Sequence, residues 1–430
     1  MQHLYKEEIL HFVWQFQYFD QQELTTSSRL KLQIIKPGVI NANSGPDFFN
    51  ARIKIKEIEW AGNIEIHWKA SEWNQHGHEQ DEAYANVILH VVFEEDTIIY
   101  NHLGEVIPTL VLKNRINTNL LFRYQQMLKN KYFIPCERLL HNDLPYEGLT
   151  LFIEKLMIER LEQKTSFITQ ILHNNRWDWE DALYKCILRA YGFKINAEPF
   201  FQLALQLPLM IIVKHQYHIH QLESLLFGQA GLLQKELNDP YLKKIKSEYN
   251  YISKKYSLQP MSISAWKYSR LRPSNFPDVR IAQLAAFLHH QPQLLSRMIE
   301  LKTLDQARQF FTFPVSEYWL NHHILDGNVT PYILRLGKSS IDVLITNVVV
   351  PFLFLYGKER GNETLVERSF YFLQSMHEEK NNIIQQWKKL GFQIQNAFES
   401  QAFLHLKNNY CDAKQCLHCV IGHQLLKKTI

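Results

Sequence analysis

The apolar residues of this chain change period near Asn117, and that change limits the folds open to it. Before this point short segments alternate apolar and polar positions, as half-buried strands do. After it apolar residues recur every three or four positions, as the buried faces of helices do. Leu30–Ile35, Phe49–Ile58 and Ile64–Trp68 read as strands, and Val87–Phe93 reads as a strand buried on both faces. Turns are expected at Pro37-Gly38, Gly45-Pro46 and Ala61-Gly62-Asn63. Ile9, Leu10, Val13, Trp14 and Phe16 predict an opening helix over Tyr5–Phe19. A short helix is expected over Glu79–Ala85, and a hairpin joining Thr97–Tyr100 to Thr109–Leu112.

Beyond the change of period, helices are expected over Leu120–Leu128, Leu149–Ile171, Trp179–Tyr191, Phe200–Val213, Leu222–Leu237, Ile281–His289 and Phe370–Leu390. The expected class is therefore α+β. A mixed αβ domain over residues 1–117 precedes a large helical domain over 118–430, which ends in a cysteine-rich tail. A length of 430 residues accommodates such a division, and 46% hydrophobic residues exclude wholesale disorder. A net charge of +4 leaves room for a local basic surface but not for a strongly basic nucleic-acid binder. Five cysteines make no disulfide framework for a chain of this length. The acidic start around Glu7 and Glu8 is a poor signal peptide. Thr346, Asn347 and Pro351 interrupt the longest apolar run, Val343–Tyr356, so no membrane span is expected. A reduced, cytoplasmic protein is the expectation.

Ligand and acid–base side chains concentrate between Asn41 and Val92. A Gly45-Pro46-Asp47 turn leads into one strand, and the next carries Glu65, His67 and Lys69; His76, Gly77 and His78 follow, then His90. In order, these elements run helix, three strands, short helix, strand. That order, with Pro46-Asp47 and then Glu65-Ile66-His67, resembles the PD-(D/E)xK restriction-endonuclease-like nucleases. The resemblance implies that Asp47 and Glu65 hold Mg²⁺ or Mn²⁺ and that the family lysine falls on His67, with Lys69 on the same strand face as a substitute. The segment from Trp73 to His78 is similar to one in the very-short-patch-repair endonucleases, which puts His76 and His78 in the same cleft. The residue types alone also allow a separate zinc or manganese site built from Glu65, His67, His76, His78 and Asp81. They equally allow a site with no chemistry, in which Asp47 caps its turn, Glu65 pairs with Lys54 or Arg52 and His90 is a hydrogen-bonded core residue.

Two later segments add candidates. Arg270, Arg272 and Arg280, interleaved with Trp266, Tyr268 and Phe276, could grip the phosphates of a nucleic acid or tie loops between helices. Phe227-Gly228-Gln229-Ala230-Gly231 lacks the following Lys-Ser/Thr of a phosphate loop. In the tail, Cys411, Cys416 and Cys419 leave a tetrahedral site one ligand short, which Cys136, His418 or His423 could complete. Zinc and an iron–sulfur cluster are both open there, and some relatives of the nuclease fold carry such clusters on one distant and three C-terminal cysteines. Buried thiols with no ligand are the plain alternative.

Taken together, Asn63-Ile64-Glu65-Ile66-His67, Ser71 to His78, Val87 to Val92, Arg270 to Pro277 and Tyr410 to Gly422 resemble the bacterial domain of unknown function 2851 family, over nearly the whole chain. The expected function is metal-dependent hydrolysis of nucleic-acid phosphodiesters; the competing reading is a non-catalytic binding or scaffold protein. The two differ in one observable. An enzyme requires Asp47 and Glu65 to converge in an open cleft, whereas a scaffold leaves them scattered or salt-bridged.

Overall fold

The computed structural model describes residues 6–41, 43–140, 147–329 and 335–427. The chain divides into two compact units that interleave in sequence. The first comprises residues 1–154, 381–393 and 403–430, and the second comprises 155–380 and 394–402. The period change at Asn117 therefore marks the end of the strands and not the end of a unit. Asn117 is the N-cap of the next helix, its side chain accepting the Asn119 N–H.

In the first unit, α1 (Glu8–Gln15) buries Ile9, Leu10, Phe12, Val13 and Trp14. The strands are β1 (Leu32–Lys36), β2 (Val39–Ile40), β3 (Phe48–Ile55), β4 (Ile58–Lys69), β5 (Val87–Glu94) and β6 (Thr109–Val111). They form one mixed sheet in the order β1-β3-β4-β5-β6, with β2 also paired to β3. The β1-β3-β4 half is antiparallel and the β4-β5-β6 half parallel. The crossover from β4 to β5 holds α2 (Glu72–Gln75) and 3₁₀ turns at His78–Gln80 and Glu82–Tyr84, where one short helix was expected. α3 (Thr118–Lys129) follows the sheet. This is the expected α+β class.

Two local expectations fail for identifiable reasons. The turn between β3 and β4 is at Lys56–Glu57, where Ile55 pairs with Ile58 and Lys56 takes a φ of 55°. Ala61-Gly62-Asn63 instead lies inside β4. Gly62 is there because β5 runs close by. A Cβ at this position would stand 2.5 Å from Ile88 Cγ2 and 2.6 Å from the Asn86 carbonyl oxygen. The expected hairpin is also incomplete. Tyr100 bridges Val106, but Thr109–Val111 pairs in parallel with β5, because the Ile107-Pro108 stretch carries the chain alongside that strand.

The second unit is helical. Trp179–Tyr191 runs as expected, whereas the helix expected over Phe200–Val213 breaks at Leu207-Pro208 into Ala197–Gln206 and Leu209–His215. The helix from Ile219 stops at Gln229, short of Leu237. Phe370–Leu390 is likewise two helices, Glu363–Ser375 and Asn382–Lys389, the second capped by Asn381 and belonging to the first unit. The helical stretch Lys338–Glu359 is long and apolar enough to cross a membrane, but 72% of its apolar window is buried in the protein.

Replacing Gly62 by Ala should destabilise the first unit by about 1–3 kcal/mol through overpacking. Chemical denaturation of the variant beside wild type checks this, and unchanged stability would show that β5 can move away from β4.

Candidate metal and acid–base site

Asp47 and Glu65 meet through reciprocal hydrogen bonds. The Asp47 N–H donates to Glu65 Oε2 at 3.0 Å, and the Ile66 N–H donates to Asp47 Oδ2 at 2.9 Å. One oxygen of each carboxylate is thereby fixed by the neighbouring backbone. Arg52 pairs with Glu59, and Lys54 with Glu57 at 2.8 Å, so neither cation neutralises Glu65. The two carboxylates converge, with Glu65 buried and Asp47 half-buried beside His11.

Glu65 Oε1 faces imidazoles. It lies 3.6 Å from His67 Nε2 and 3.4 Å from His78 Nε2, while His67 Nε2 lies 3.2 Å from His76 Nδ1. His67, His76 and His78 each offer a nitrogen within 4.8 Å of the others. Nitrogen and oxygen ligands at about 2.0–2.1 Å from one tetrahedral ion stand about 3.3–3.4 Å apart. His67, His76 and His78 thus have the spacing of a three-histidine site, with Glu65 adjoining His67 and His78. His78 Nε2 is buried without a well-formed hydrogen bond, as a ligand atom awaiting an ion would be. The site is closed below by aromatic rings: Tyr84 stacks on His78 at 3.8 Å, and Trp73 packs edge-on against His78 and His90. His90 Nε2 is 2.8 Å from His67 Nδ1, so it fixes the His67 ring from behind, in the manner of a residue supporting a metal ligand.

A second pair adjoins this cluster. His11, on α1, places Nε2 3.3 Å from Asp47 Oδ2. Burial by itself would lower the His11 pKa, but the hydrogen bond and charge of Asp47, with Glu7 and Glu65, outweigh it and hold it above the usual value. Glu7 is pushed up to about 7, first by burial and then by Asp47, Glu72 and Glu65, against the pull of His11. Burial also raises Glu65, with Asp47 adding to it and His78 opposing. His67 is driven down to about 2 by burial and by His90, His78 and His76, and His90 to about 3 by burial and His78. Both imidazoles are neutral at physiological pH and available as ligands.

Of the residues singled out in the sequence, Asp47, Glu65, His67, His76 and His78 come together. Lys69 stands apart at the end of β4, where its charge acts on Glu94 and Asp96. Asp81 caps the Glu82–Tyr84 turn by accepting the Ala83 N–H. Arg270 and Arg272 are exposed in the second unit. Arg280 is buried there, bonded to Asn275 and Gln283 and lying over the Phe193 ring, as a residue tying loops together does. Glu7 and His11 were missed. Their four-residue separation on an amphipathic helix puts them on one face, a signal the sequence did contain.

A mixed sheet whose adjacent strands converge two carboxylates on a histidine cluster is the class of site defined here. The chain belongs to the family described as protein of unknown function, DUF2851, whose model matches residues 7–382. No curated protein and no solved structure matches it.

The depressed pKa values of His67 and His90 have a consequence for stability. In the unfolded chain both histidines take up protons near pH 6.5, while in the folded protein they do not until about pH 3 or below. The contribution of these two histidines to stability is therefore full above pH 6.5 and falls as pH drops below it, by at most about 1.4 kcal/mol per histidine per unit, while the raised Glu7 and His11 act in the opposite sense. Denaturation of chelator-treated protein between pH 8 and pH 5 tests this, with His90→Gln expected to flatten the slope.

Proposed function

We propose that this protein is a metal-dependent hydrolase of phosphodiesters, with nucleic acid as its substrate class. The observation that carries the reading is the gathering of His67, His76 and His78, with Glu65 against His67 and His78, beside the Asp47–His11 pair. Three imidazoles with one carboxylate favour Mn²⁺ or Zn²⁺ over Mg²⁺, which prefers oxygen ligands and retains its waters. A bound ion supplies charge neutralisation at the phosphoryl group and a water of lowered pKa.

The protein's own groups complete the proton inventory. Hydrolysis forms a bond from water oxygen to phosphorus and breaks one phosphorus–oxygen ester bond. Glu7, with a pKa of about 7, can take the water proton, and His11, whose proton affinity Asp47 raises, can give one to the departing oxygen. The phosphodiester assignment is supported by Asp47, just before β3, and Glu65-Ile66-His67 on β4, its neighbour in the mixed sheet. Arg270 and Arg272 are the exposed cations proposed to contact phosphates.

The test is cleavage of single- and double-stranded DNA and RNA by purified protein loaded with Mn²⁺, Zn²⁺ or Mg²⁺. Activity is expected with Mn²⁺ above Mg²⁺. Glu65→Gln should abolish it, and His11→Gln should reduce it by about 10²–10⁴-fold while leaving metal binding intact. Cleavage persisting in Glu65→Gln would assign it to another site. Metal binding without cleavage of any substrate would return the chain to a binding role.

A further inference from the structure

We propose that a cavity in the second unit, walled by Tyr191, Phe193 and Arg280, binds the phosphate monoester of a small molecule with an apolar body. All of its lining belongs to that unit, and the proposal does not rest on the hydrolase reading.

Three local structures make the walls. The helix Trp179–Tyr191 ends at Gly192, where a Cβ would stand 2.2 Å from the Asn196 carbonyl oxygen, so only glycine allows a turn this tight. Phe193 takes a φ of 49° in the same turn. Two prolines shape the next wall: Pro273 opens the turn Pro273–Asn275, and Pro277 starts the helix Pro277–His290, whose first turn carries Arg280. The last wall is the opening of the 22-residue helical stretch Lys338–Glu359, with Ser339, Ser340 and Val343. Together they enclose about 260 Å³. Ile195, Ser339 and Val343 are exposed, so the cavity meets solvent on their side.

The polar groups here are donors in need of an acceptor. Arg280 is only 5% exposed, and no carboxylate among the described residues pairs with it. Its Nη1 donates to Gln283 at 2.9 Å, and its Nη2 donates to Asn275 and, at 3.4 Å, to Ser340. Nε is buried with no hydrogen-bond partner, and so is the Tyr191 hydroxyl. Burial lowers the Arg280 pKa to about 10, so the guanidinium keeps its charge at physiological pH. A buried cation without an anion is costly, as is a buried donor without an acceptor. The surroundings do not relieve it. An adjoining cavity of about 560 Å³ shares Phe193 and Val343 and presents Lys164, Arg189 and Lys194. Among the described residues no carboxylate lines either space.

The number of donors selects phosphate over carboxylate. Ser339 and Ser340 add two hydroxyls at a helix start whose N-cap, Gly337, has no side chain and whose first turn has no acid. The amide oxygens of Asn196 and Asn275 are already engaged by the Lys267 N–H and by Arg280. A buried arginine joined by hydroxyls and helix N–H groups suits a phosphate, whose oxygens accept from several donors at once. Ile195, Phe200, Leu271 and Val343 make the remaining surface apolar, which calls for an apolar body on that phosphate.

The experiment is calorimetric titration of the chelator-treated full chain with phenyl phosphate, inorganic phosphate and benzoate. Phenyl phosphate should bind once per chain, about tenfold or more tighter than either of the others. Arg280→Gln removes the charge and Val343→Trp fills the cavity from an exposed position, and each should weaken binding by about tenfold or more. Glu65→Gln should leave it unchanged, because the histidine cluster takes no part. Benzoate bound as tightly as phenyl phosphate overturns the phosphate head, and inorganic phosphate bound as tightly overturns the apolar body. Binding that survives both variants lies elsewhere and overturns the site, as does failure to bind any of the three. If Arg280→Gln does not fold, Val343→Trp decides alone.

Discussion

Everything at the candidate site depends on the clasp between Asp47 and the Glu65-Ile66 backbone segment. Each carboxylate gives one oxygen to a backbone N–H, directly or across the strand pair, and so loses its freedom to rotate. A free glutamate on a strand samples several rotamers at an entropic cost on binding. Here Glu65 has its second oxygen already aimed at His67 and His78. The clasp also spans β3 and β4 next to the Phe48–Ile64 pair, so register and site geometry are one constraint. A slip of one residue would turn Glu65 and His67 to the opposite face.

The parallel step from β4 to β5 supplies the remaining ligands. A parallel pair needs a crossover, usually built around a substantial helix. This chain uses a single turn of helix and two 3₁₀ turns, which keep His76 and His78 beside the strand they have just left. The Glu65–His90 pairing then sets His90 next to its neighbour on the sheet, where it reaches the back of His67. Trp73 and Tyr84, also from the crossover, pack into the small apolar cluster with Val92 and Ile99. The histidines, their support and the floor all come from β4, the crossover and β5, which explains their concentration in sequence.

That concentration made the cluster legible in the sequence, and its limits are equally physical. Asp47, Glu65, His67, His76 and His78 were visible because they lie within one supersecondary unit. His11 and Glu7 were not, because α1 reaches the site only through tertiary packing, and an opening helix with a strong apolar face reads as core. Gly62 was mistaken for a turn because a glycine required by close approach of another strand looks, in one dimension, like a glycine required by φ. Lys69 follows the alternation of Glu65 and His67, yet it sits at the strand end, where its charge acts on Glu94 and Asp96. The interleaved units were hidden for a similar reason. Helical periodicity reports a buried face and not the body that buries it, so residues 381–393 and 403–430 gave no sign of returning to the first unit.

The electrostatic state of the cluster records burial first and then the crowding of like groups. Asp47 and Glu65 raise the proton affinity of Glu7, Asp47 raises that of Glu65, and the imidazoles of His78 and His76 lower that of His67. Every one of these effects records groups of like kind forced together in a poorly solvated place. Salt bridges to the nearby Arg52 and Lys54 would have relieved the carboxylates, but both cations are committed elsewhere. A divalent ion among Glu65, His67, His76 and His78 reverses each effect at once: it stabilises the carboxylates as anions and the imidazoles as neutral donors. An apolar or singly salt-bridged site would have been cheaper to fold. This site keeps the repulsion instead, and a backbone clasp and a hydrogen-bonded histidine hold its side chains in place against it.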